Sequence, residues 1–518
     1  MKMVGVSRLI YALCLSLLCL AIFFQGVTIF PPQKQKSKLK SSGKELAERY
    51  CQMCHTFPEP GLLDKKTWET SVLPNMGMRL GIRTNGTDPF EDLDPIDESI
   101  VRNLNIYPDA PLILKEDWDR IVEYYVQNAP IKLESQQISV SRAKEKAPFK
   151  SQFITIGDNK LPKVSLLNFN EATSELYIGD NNNLYALKNT GEISNSWLLN
   201  SPASHVEFQD NSDPLLLTIG QFRPSDQELG RLANLKIREN RQSAAIDISK
   251  LRRPVYFALG DLNGDNKKDA VVCSFGNYGG KLSWFDNFEP SKEHVLSNLP
   301  GARMVAIKDL NGDQKPDIVA LMAQAYEQIS IYYNKGEGEF EQVKVLEFSP
   351  VHGVSYFELV DFNNDGFEDI LLTNGDNWDY SNVDKPYQGL RLYLNDGHNN
   401  FKEVFFYPMF GCSKAVAKDF DNDGDLDIVG VSFYADLKDP KESFVYLSNN
   451  GDLKFTASFH PDAVYGKWLT MEVADFNGDS RPDVMLGSFM FNFNEMAKVV
   501  ASTGISSFPQ VLLLTQVE

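Results

Sequence analysis

The pattern of apolar and polar residues divides the chain into three parts. From Leu9 to Phe30 the residues run LIYALCLSLLCLAIFFQGVTIF without a charge. As a helix this segment would be roughly 33 Å long, about one bilayer. Helical spacing follows. SGKELAERYCQMCH carries Leu46 and Tyr50 four apart behind a cap at Ser42, and KEDWDRIVEYYVQNAP places Trp118, Ile121, Val122 and Tyr125 at i, i+3, i+4 and i+7. Both patterns predict amphipathic helices, the second closing near Pro130. Beyond residue 148 the pattern turns to short apolar runs between turns. VYFAL, MVAIK, YFELV, KAVAK and TMEVA are each followed, after one acidic turn, by AVVCSF, IVALMA, ILLTNG, IVGVSF and VMLGSF. Third strands such as KLSWFDN and LRLYLNDG and fourth strands such as QVKVLEF and EVFFYP complete units of roughly 50 residues, the length of a four-stranded propeller blade.

The acidic turns are one nonapeptide repeated five times: DLNGDNKKD at 261–269, DLNGDQKPD at 309–317, DFNNDGFED at 361–369, DFDNDGDLD at 419–427 and DFNGDSRPD at 475–483. Oxygen ligands at alternate positions of a tight loop converge on one hard cation, as in an EF-hand loop. The expected ligands are Asp261, Asn263, Asp265 and Asp269 in the first loop, and Asp309, Asn311, Asp313 and Asp317 in the second. The third offers Asp361, Asn363, Asp365 and Asp369, the fourth Asp419, Asp421, Asp423 and Asp427, and the fifth Asp475, Asn477, Asp479 and Asp483. Gly or Asn at position 4 or 6 suits the positive φ such a turn needs. The competing reading is an acidic turn whose aspartates cap their own backbone. Carboxylates this dense repel one another without a cation, which favours five Ca²⁺ sites.

At this spacing 148–518 holds about seven blades, so two should precede the first motif. LLNFNEATSELYIGD at 166–180 and VEFQDNSDPLLLTIG at 206–220 keep the strand–turn–strand rhythm without the aspartate set, so neither should hold calcium well. The C-terminal QVLLLTQVE reads as a third strand with no fourth, and SQFITIG at 151–157 as a fourth strand with no blade. Pairing them would close the ring and remove both sheet edges.

The 518 residues exceed one ordinary domain. A net charge of −19 excludes a general nucleic-acid binder, whose phosphate contacts need Lys and Arg. The six cysteines are no disulfide scaffold. Cys14 and Cys19 lie in the apolar segment, and Cys273 and Cys412 stand alone in strand-like runs and read as buried small side chains. The remaining pair forms CQMCH at 51–55. A redox dithiol should follow a strand in a βαβ setting, which is missing here. A zinc site lacks ligands, since the next histidine is His205 and the next cysteine Cys273. A covalent haem needs only Cys51 and Cys54 for the porphyrin, His55 for the iron and one distal ligand. That ligand would come from VLPNMGMRLG. Met76 is preferred, because Pro74-Asn75-Met76-Gly77 reads as a fixed turn, with Met78 the alternative; a five-coordinate iron with both methionines in the core stays open, because the gap from His55 to Met76 is short for a cytochrome c. Pro58 and Pro60 would hold the loop at the proximal histidine. The propeller histidines, His205, His294, His352, His398 and His460, have no metal-ligand spacing and read as surface or satisfied core residues.

With a helix at each end and an irregular middle, the segment 45–147 resembles a small class I-type cytochrome c domain. The nonapeptide blades resemble the FG-GAP (VCBS-type) repeats of integrin α-chain propellers. From about residue 45 onward the chain resembles a membrane-anchored group of bacterial proteins that join the two. The expected organisation is a signal peptide or membrane anchor at 1–33, a basic linker at 34–44, an all-α cytochrome c-like domain at 45–147 and a seven-bladed β-propeller at 148–518, a mainly β chain. No A-x-A cleavage site is evident, which favours an uncleaved anchor. The basic QKQKSKLKSSGK after it would by charge place the body in the cytoplasm. Covalent haem implies export and overrides that count. The resemblance implies haem c and calcium; the five motifs set about five Ca²⁺, and the export that covalent haem requires sets an extracytoplasmic location, with a redox partner protein and the membrane as expected contacts. The leading expectation is electron transfer, with the propeller as a docking platform. The alternatives are a propeller oxidoreductase that passes electrons from a sugar or alcohol to the haem, and an adhesion or glycan-binding protein. The long loops NGDNWDYSNVDKPYQGL, 374–390, and FRPSDQELG, 222–230, are candidate carbohydrate or partner sites, or structural lids.

Overall fold

The computed structural model describes residues 41–83, 87–135, 140–157, 160–209, 212–237, 246–377, 381, 383–435, 437, 439 and 443–517. The expected anchor, with Cys14 and Cys19, and nearly all of the basic linker lie outside these residues. Among the described residues no helix is long and apolar enough to cross a membrane.

Among the described residues, four helices of seven residues or more precede the strands: α1 (Gly43–Cys51), α2 (Leu73–Arg79), α3 (Pro95–Asn103) and α4 (Lys115–Asn128). Leu46 and Ala47 of α1 pack with Ile121 and Tyr125 of α4, all buried. The two backbones meet at Gly43, where a Cβ would lie 2.3 Å from the Arg120 carbonyl oxygen. Trp68 and Tyr125 hold the centre, with rings 4.5 Å apart. Their polar ends reach the loop after CQMCH: Trp68 Nε1 donates to Pro60 O and Tyr125 Oη to Pro58 O, each at 2.8 Å. Two buried aromatics therefore fix the path of this proline-rich loop.

One expectation needs correction. Pro74-Asn75-Met76-Gly77 is not a turn but part of α2. A wide turn at Trp68–Val72 precedes it, in which the Leu73 N–H donates to Trp68 O, five residues back. Proline has no N–H and crowds the carbonyl four residues before it. The widened turn directly before Pro74 lets the helical path continue through it.

Seven sheets follow. Six are antiparallel meanders in chain order: 164–198, 203–251, 254–297, 302–348, 354–408 and 412–458, here blades 1 to 6. Blade 7 has Trp468–Ala474, Asp483–Ser488 and Val511–Gln516, and its outermost strand is Phe149–Ile154, paired antiparallel with Val511–Gln516. The first propeller strand thus completes the last blade. Ser141–Arg142 adds a short parallel strand to blade 6, so propeller structure begins a few residues before 148. A helix expected nowhere in the sequence, α5 (Phe493–Thr503), interrupts blade 7. Its signals are legible afterwards: Asn492 caps the Glu495 N–H, and Gly504 closes the helix with φ of 78°.

All seven inner strands share a β-bulge at their second residue, Ser165, Ser204, Val255, Arg303, Ser355, Ser413 and Leu469 in turn. Four of these are serines whose hydroxyl donates to the first inner-strand residue of the next blade: Ser165 to Ala203 O, Ser204 to Pro254 O, Ser355 to Cys412 O and Ser413 to Trp468 O, at 2.8–3.1 Å. The bulge turns the extra side chain out of its own ladder and toward its neighbour.

Both long loops serve the helical domain. Tyr387 Oη donates to Leu62 O at 2.9 Å, and Val383 and Tyr387 pack on the helical core beside Val351. In the other loop, Ser225 and the Asp226 N–H donate to Asp97 of α3, and Gln227 donates to Asp94 and Asp97. The Asp226 carboxylate in turn accepts the N–H groups of Asn277, Tyr278 and Gly279. These loops sit at the end where each inner strand begins. The nonapeptides join inner to second strand, so they lie on the opposite face.

Phe149 is 1% exposed against Phe420, Phe444 and Tyr446. Phe149→Ala should cost about 3–5 kcal/mol in urea unfolding, against about 0.5 or less for exposed Lys150→Ala on the same strand. Glu327 is buried between blades 4 and 5, where it accepts the Gly353 and Val354 N–H groups, and burial pushes its carboxyl up to about 7. Its stabilising contribution is full below the ordinary carboxylate range and is lost as pH rises through 7. The melting temperature should therefore fall from pH 5 to pH 8, and Glu327→Gln, though less stable overall, should show a smaller fall.

Candidate functional site

CQMCH stands where α1 ends. The helix stops at Cys51 and continues as a turn, with Met53 N–H to Tyr50 O at 3.4 Å and Cys54 N–H to Cys51 O at 3.5 Å. Both cysteines are free thiols, Cys51 half-buried and Cys54 exposed. Burial pushes Cys51 up to about 11, the reverse of the depressed value that marks a reactive dithiol. His55 donates from Nδ1 to Thr56 O at 2.7 Å, which leaves Nε2 with a lone pair. Burial holds this ring below its ordinary pKa, and the nearby Arg79 charge acts in the same direction. Thr56 Oγ1 donates to Phe348 O at 3.0 Å and ties the loop to blade 4. Met76 and Met78 are both half-buried on α2. Met76 packs on the core cluster that also holds Cys51 and Phe57. Arg79, one turn on, lies over the rings of Tyr107 and Tyr278 at 5.9 and 5.2 Å.

The five nonapeptide loops follow one backbone path. Positions 4 and 6 both have positive φ: Gly264 and Asn266, Gly312 and Gln314, Asn364 and Gly366, Asn422 and Gly424, Gly478 and Ser480. The aspartate at position 1 accepts N–H groups from inside its own loop; Asp261 takes those of Gly264, Asp265 and Asn266. The asparagine or aspartate at position 3 and the aspartate at position 5 each accept the N–H two residues on, as Asn263 and Asp265 do. Position 9 differs. Asp269, Asp317, Asp369, Asp427 and Asp483 are fully buried at the start of the second strand. One oxygen accepts the N–H of position 2, and in the first four the other accepts the N–H of Asn287, Asn334, Asn395 or Asn449. In the first three loops each oxygen keeps a second lone pair, whereas Oδ2 of Asp427 also accepts Tyr446 Oη and Oδ2 of Asp483 also accepts the Asn477 N–H, so in those two loops Oδ2 is filled and a cation would have to use Oδ1.

The fourth loop brings most charge together. Oxygens of Asp419, Asp421 and Asp423 lie within 4.8 Å of one another. Burial holds Asp421 above its ordinary pKa, and the Asp423 and Asp419 carboxylates add to the effect. Asp419 Oδ1 is buried and has no hydrogen-bond partner. An orphaned carboxylate oxygen among two other carboxylates fits a hard cation.

The histidines divide. His460 is buried with Nε2 on Phe149 O, and exposed His294 stacks on Trp284 at 4.1 Å. His205, expected to be ordinary, faces a cavity at the ring centre. That cavity, lined by inner-strand residues such as Tyr256, Arg303, Tyr356 and Lys414, was not foreseen. These residues are about 50 positions apart and share no motif. Their signal is the register of the inner strands, visible only once the bulges are placed.

Among known proteins, the FG-GAP-like repeat matches residues 261–320, 309–372 and 419–486. No curated protein matches the chain. Among solved structures, the chain is similar to BBS1N in complex with ARL6DN, at 9% identity over 72% of this chain and 98% of that one, with a TM-score of 0.41. It is also similar to the Neurospora crassa Pan2 WD40 domain, at 10% identity over 69% and 90%, with a TM-score of 0.40. From the repeat match and the sheet order together, this chain carries FG-GAP-like repeats built into a seven-bladed β-propeller.

Proposed function

We propose that the protein is an extracytoplasmic c-type cytochrome that mediates electron transfer, with a calcium-binding propeller as the platform on which a redox partner protein docks. The observation that carries this reading is the CQMCH loop. His55 is held through Nδ1 by its neighbour's carbonyl, so its outer nitrogen is presented for a metal. Cys51 and Cys54 would hold a haem covalently, with His55 and Met76 as iron ligands. That group supplies one-electron chemistry when bound, at a potential raised by a thioether ligand. The chain's own part is positional. Trp68 and Tyr125 fix the loop through Pro60 and Pro58, and Thr56 fixes it to blade 4. Met76 packs on the same core cluster as Cys51, which favours it over Met78 as the distal ligand. Calcium would be held in the five nonapeptide loops, with the orphaned Asp419 oxygen as the best support.

Denatured, pyridine-treated protein should show a c-type haem spectrum, and Cys51→Ser with Cys54→Ser should lose covalent haem. Met76→Ala should abolish the thioether-to-iron charge-transfer band. Zinc without haem in the purified protein would sink the reading, and loss of the band only in Met78→Ala would move the ligand. Metal analysis of native protein should find about five calcium ions rather than seven. EDTA should lower the propeller's melting temperature by mass action, while the Soret spectrum stays unchanged at moderate temperature. Asp423→Ala should remove one calcium and loosen one blade, because repeat stability is largely local.

A further inference from the structure

The inner strands enclose a cavity of about 470 Å³ at the centre of the propeller, within the range of roughly 300–1,000 Å³ of small-molecule sites. None of its lining residues belongs to CQMCH or to a nonapeptide loop. Arg253 and Arg303 line it from the start of two successive inner strands, so its mouth opens on the face that carries the helical domain.

Its charge is mostly of one sign. Arg253, Arg303 and Lys414 line it against two carboxyls, Asp376 and Glu472. Lys414 Nζ donates to Met471 O at 2.7 Å and has no ion pair among the described residues. Burial pushes the Glu358 and Glu472 carboxyls up, Glu358 to about 7, and outweighs the Lys414 charge that acts the other way. Near neutral pH they therefore offset the lysine only in part.

The two arginines converge at the mouth. Both guanidiniums lie over the Phe275 ring, Arg253 at 5.3 Å from its centre and Arg303 at 6.0 Å. Arg253 directs Nη1 and Nη2 to the carbonyls of Gly276 and Phe222. Arg303 donates from Nε to Ser355 O. Its Nη1 meets the Asp376 carboxylate only at 4.0 Å, beyond hydrogen-bond reach, and neither Nη has a hydrogen bond among the described residues. The Arg303 side chain is 30% exposed and lines the cavity, so this end-on pair of donors is within reach of a ligand.

Aromatic rings form the other side. Phe222 stacks on Phe489 at 4.3 Å, Phe489 meets Phe491 at 5.1 Å, and Phe491 meets Phe433 at 5.9 Å. Phe222, Phe433 and Phe491 line the cavity. This wall runs from the 222–230 loop to blades 7 and 6, whereas the arginines stand on blades 3 and 4.

We propose that this cavity binds a small aromatic carboxylate, with its carboxylate on the Arg303 guanidinium and its ring against the phenylalanine wall. The planar fork of a guanidinium matches the two oxygens of a carboxylate. A cation would meet three like charges. A neutral ring would leave the arginines without a counter-charge, and an anion without a ring would leave the wall unfilled. Asp376 reduces the positive excess, which suits one negative charge better than two.

The test uses the full chain and titration calorimetry with benzoate, phenylacetate and cinnamate. Benzamide, a neutral isostere, and acetate, an anion without a ring, are the controls. At least one aromatic carboxylate should bind, and both controls should bind at least about tenfold more weakly. Arg303→Met removes the fork and should weaken binding at least about tenfold, the worth of one charge-assisted hydrogen bond. Arg303→Lys keeps the charge without the fork, should weaken binding less, and serves if Arg303→Met fails to fold. Phe433→Leu should also weaken it. Lys344→Met, on the outermost strand of blade 4, removes a positive charge away from the cavity and should leave binding unchanged. Failure of all three carboxylates to bind overturns the assignment. So does benzamide or acetate binding as tightly as they do, or an affinity unchanged in Phe433→Leu or in every Arg303 variant that folds.

Discussion

A buried carboxylate organises each of the five motif-bearing blades. Asp269, Asp317, Asp369, Asp427 and Asp483 open the second strand with no exposed surface. Each accepts the N–H of the second loop residue, and four demonstrably take the N–H of an asparagine at the end of the third strand or just beyond it. An unsatisfied carboxylate in such a place would cost several kcal/mol. The staple therefore sets the reach of the acidic loop and its alignment with the third strand. Asparagine is well suited to the far end, because its side chain bonds there as well: Asn334 Nδ2 reaches Leu262 O in the preceding blade, and Asn395 Nδ2 reaches Glu368 O in its own. The carboxylate thus belongs to the fold before it belongs to any cation.

This arrangement divides the propeller into two faces with different chemistry. One has the nonapeptide turns, where aspartates crowd together and positive φ recurs at positions 4 and 6. The other has the loops that seat the helical domain. There the contacts are specific polar ones: Asp97 to Ser225, Tyr387 to Leu62, Thr56 to Phe348. The CQMCH loop is thus tied to a blade and not only to its own small domain. A redox group on that loop would be held at a set place relative to the mouth of the central cavity.

The helical part and the propeller meet different physical demands. A helical unit of under 100 residues has a limited core, and here Val351, Val383 and Tyr387 of the propeller add to it. The ring has no such shortage, but it must close. Pairing of Phe149–Ile154 with Val511–Gln516 satisfies two strand edges that would otherwise invite association. The serine bulges do the same on a smaller scale, since each turns a side chain that would leave the ladder into a link between blades.

The blade pattern, the five turns, the two faded copies and the closing strand could all be read from the sequence, because each rests on short-range periodicity or on a motif repeated in register. The amphipathic spacing of Trp118, Ile121 and Tyr125 likewise placed α4. The PNMG stretch misled, because proline and glycine are turn formers locally, and only the wide turn upstream shows how Pro74 fits within a helical path. The two long loops could be recognised as unusual but not as docking elements, since their partners, Asp97 and Leu62, are over 100 and 300 residues away. The cavity was equally hidden. Seven bulges bring Tyr256, Tyr356, Lys414 and His205 to a common level, and no local rule joins residues so far apart in the chain. Sequence alone determined what repeats at short range, where hydrogen bonding and side-chain spacing are local. The closure of the ring decided the rest, because only there do distant blades share one space.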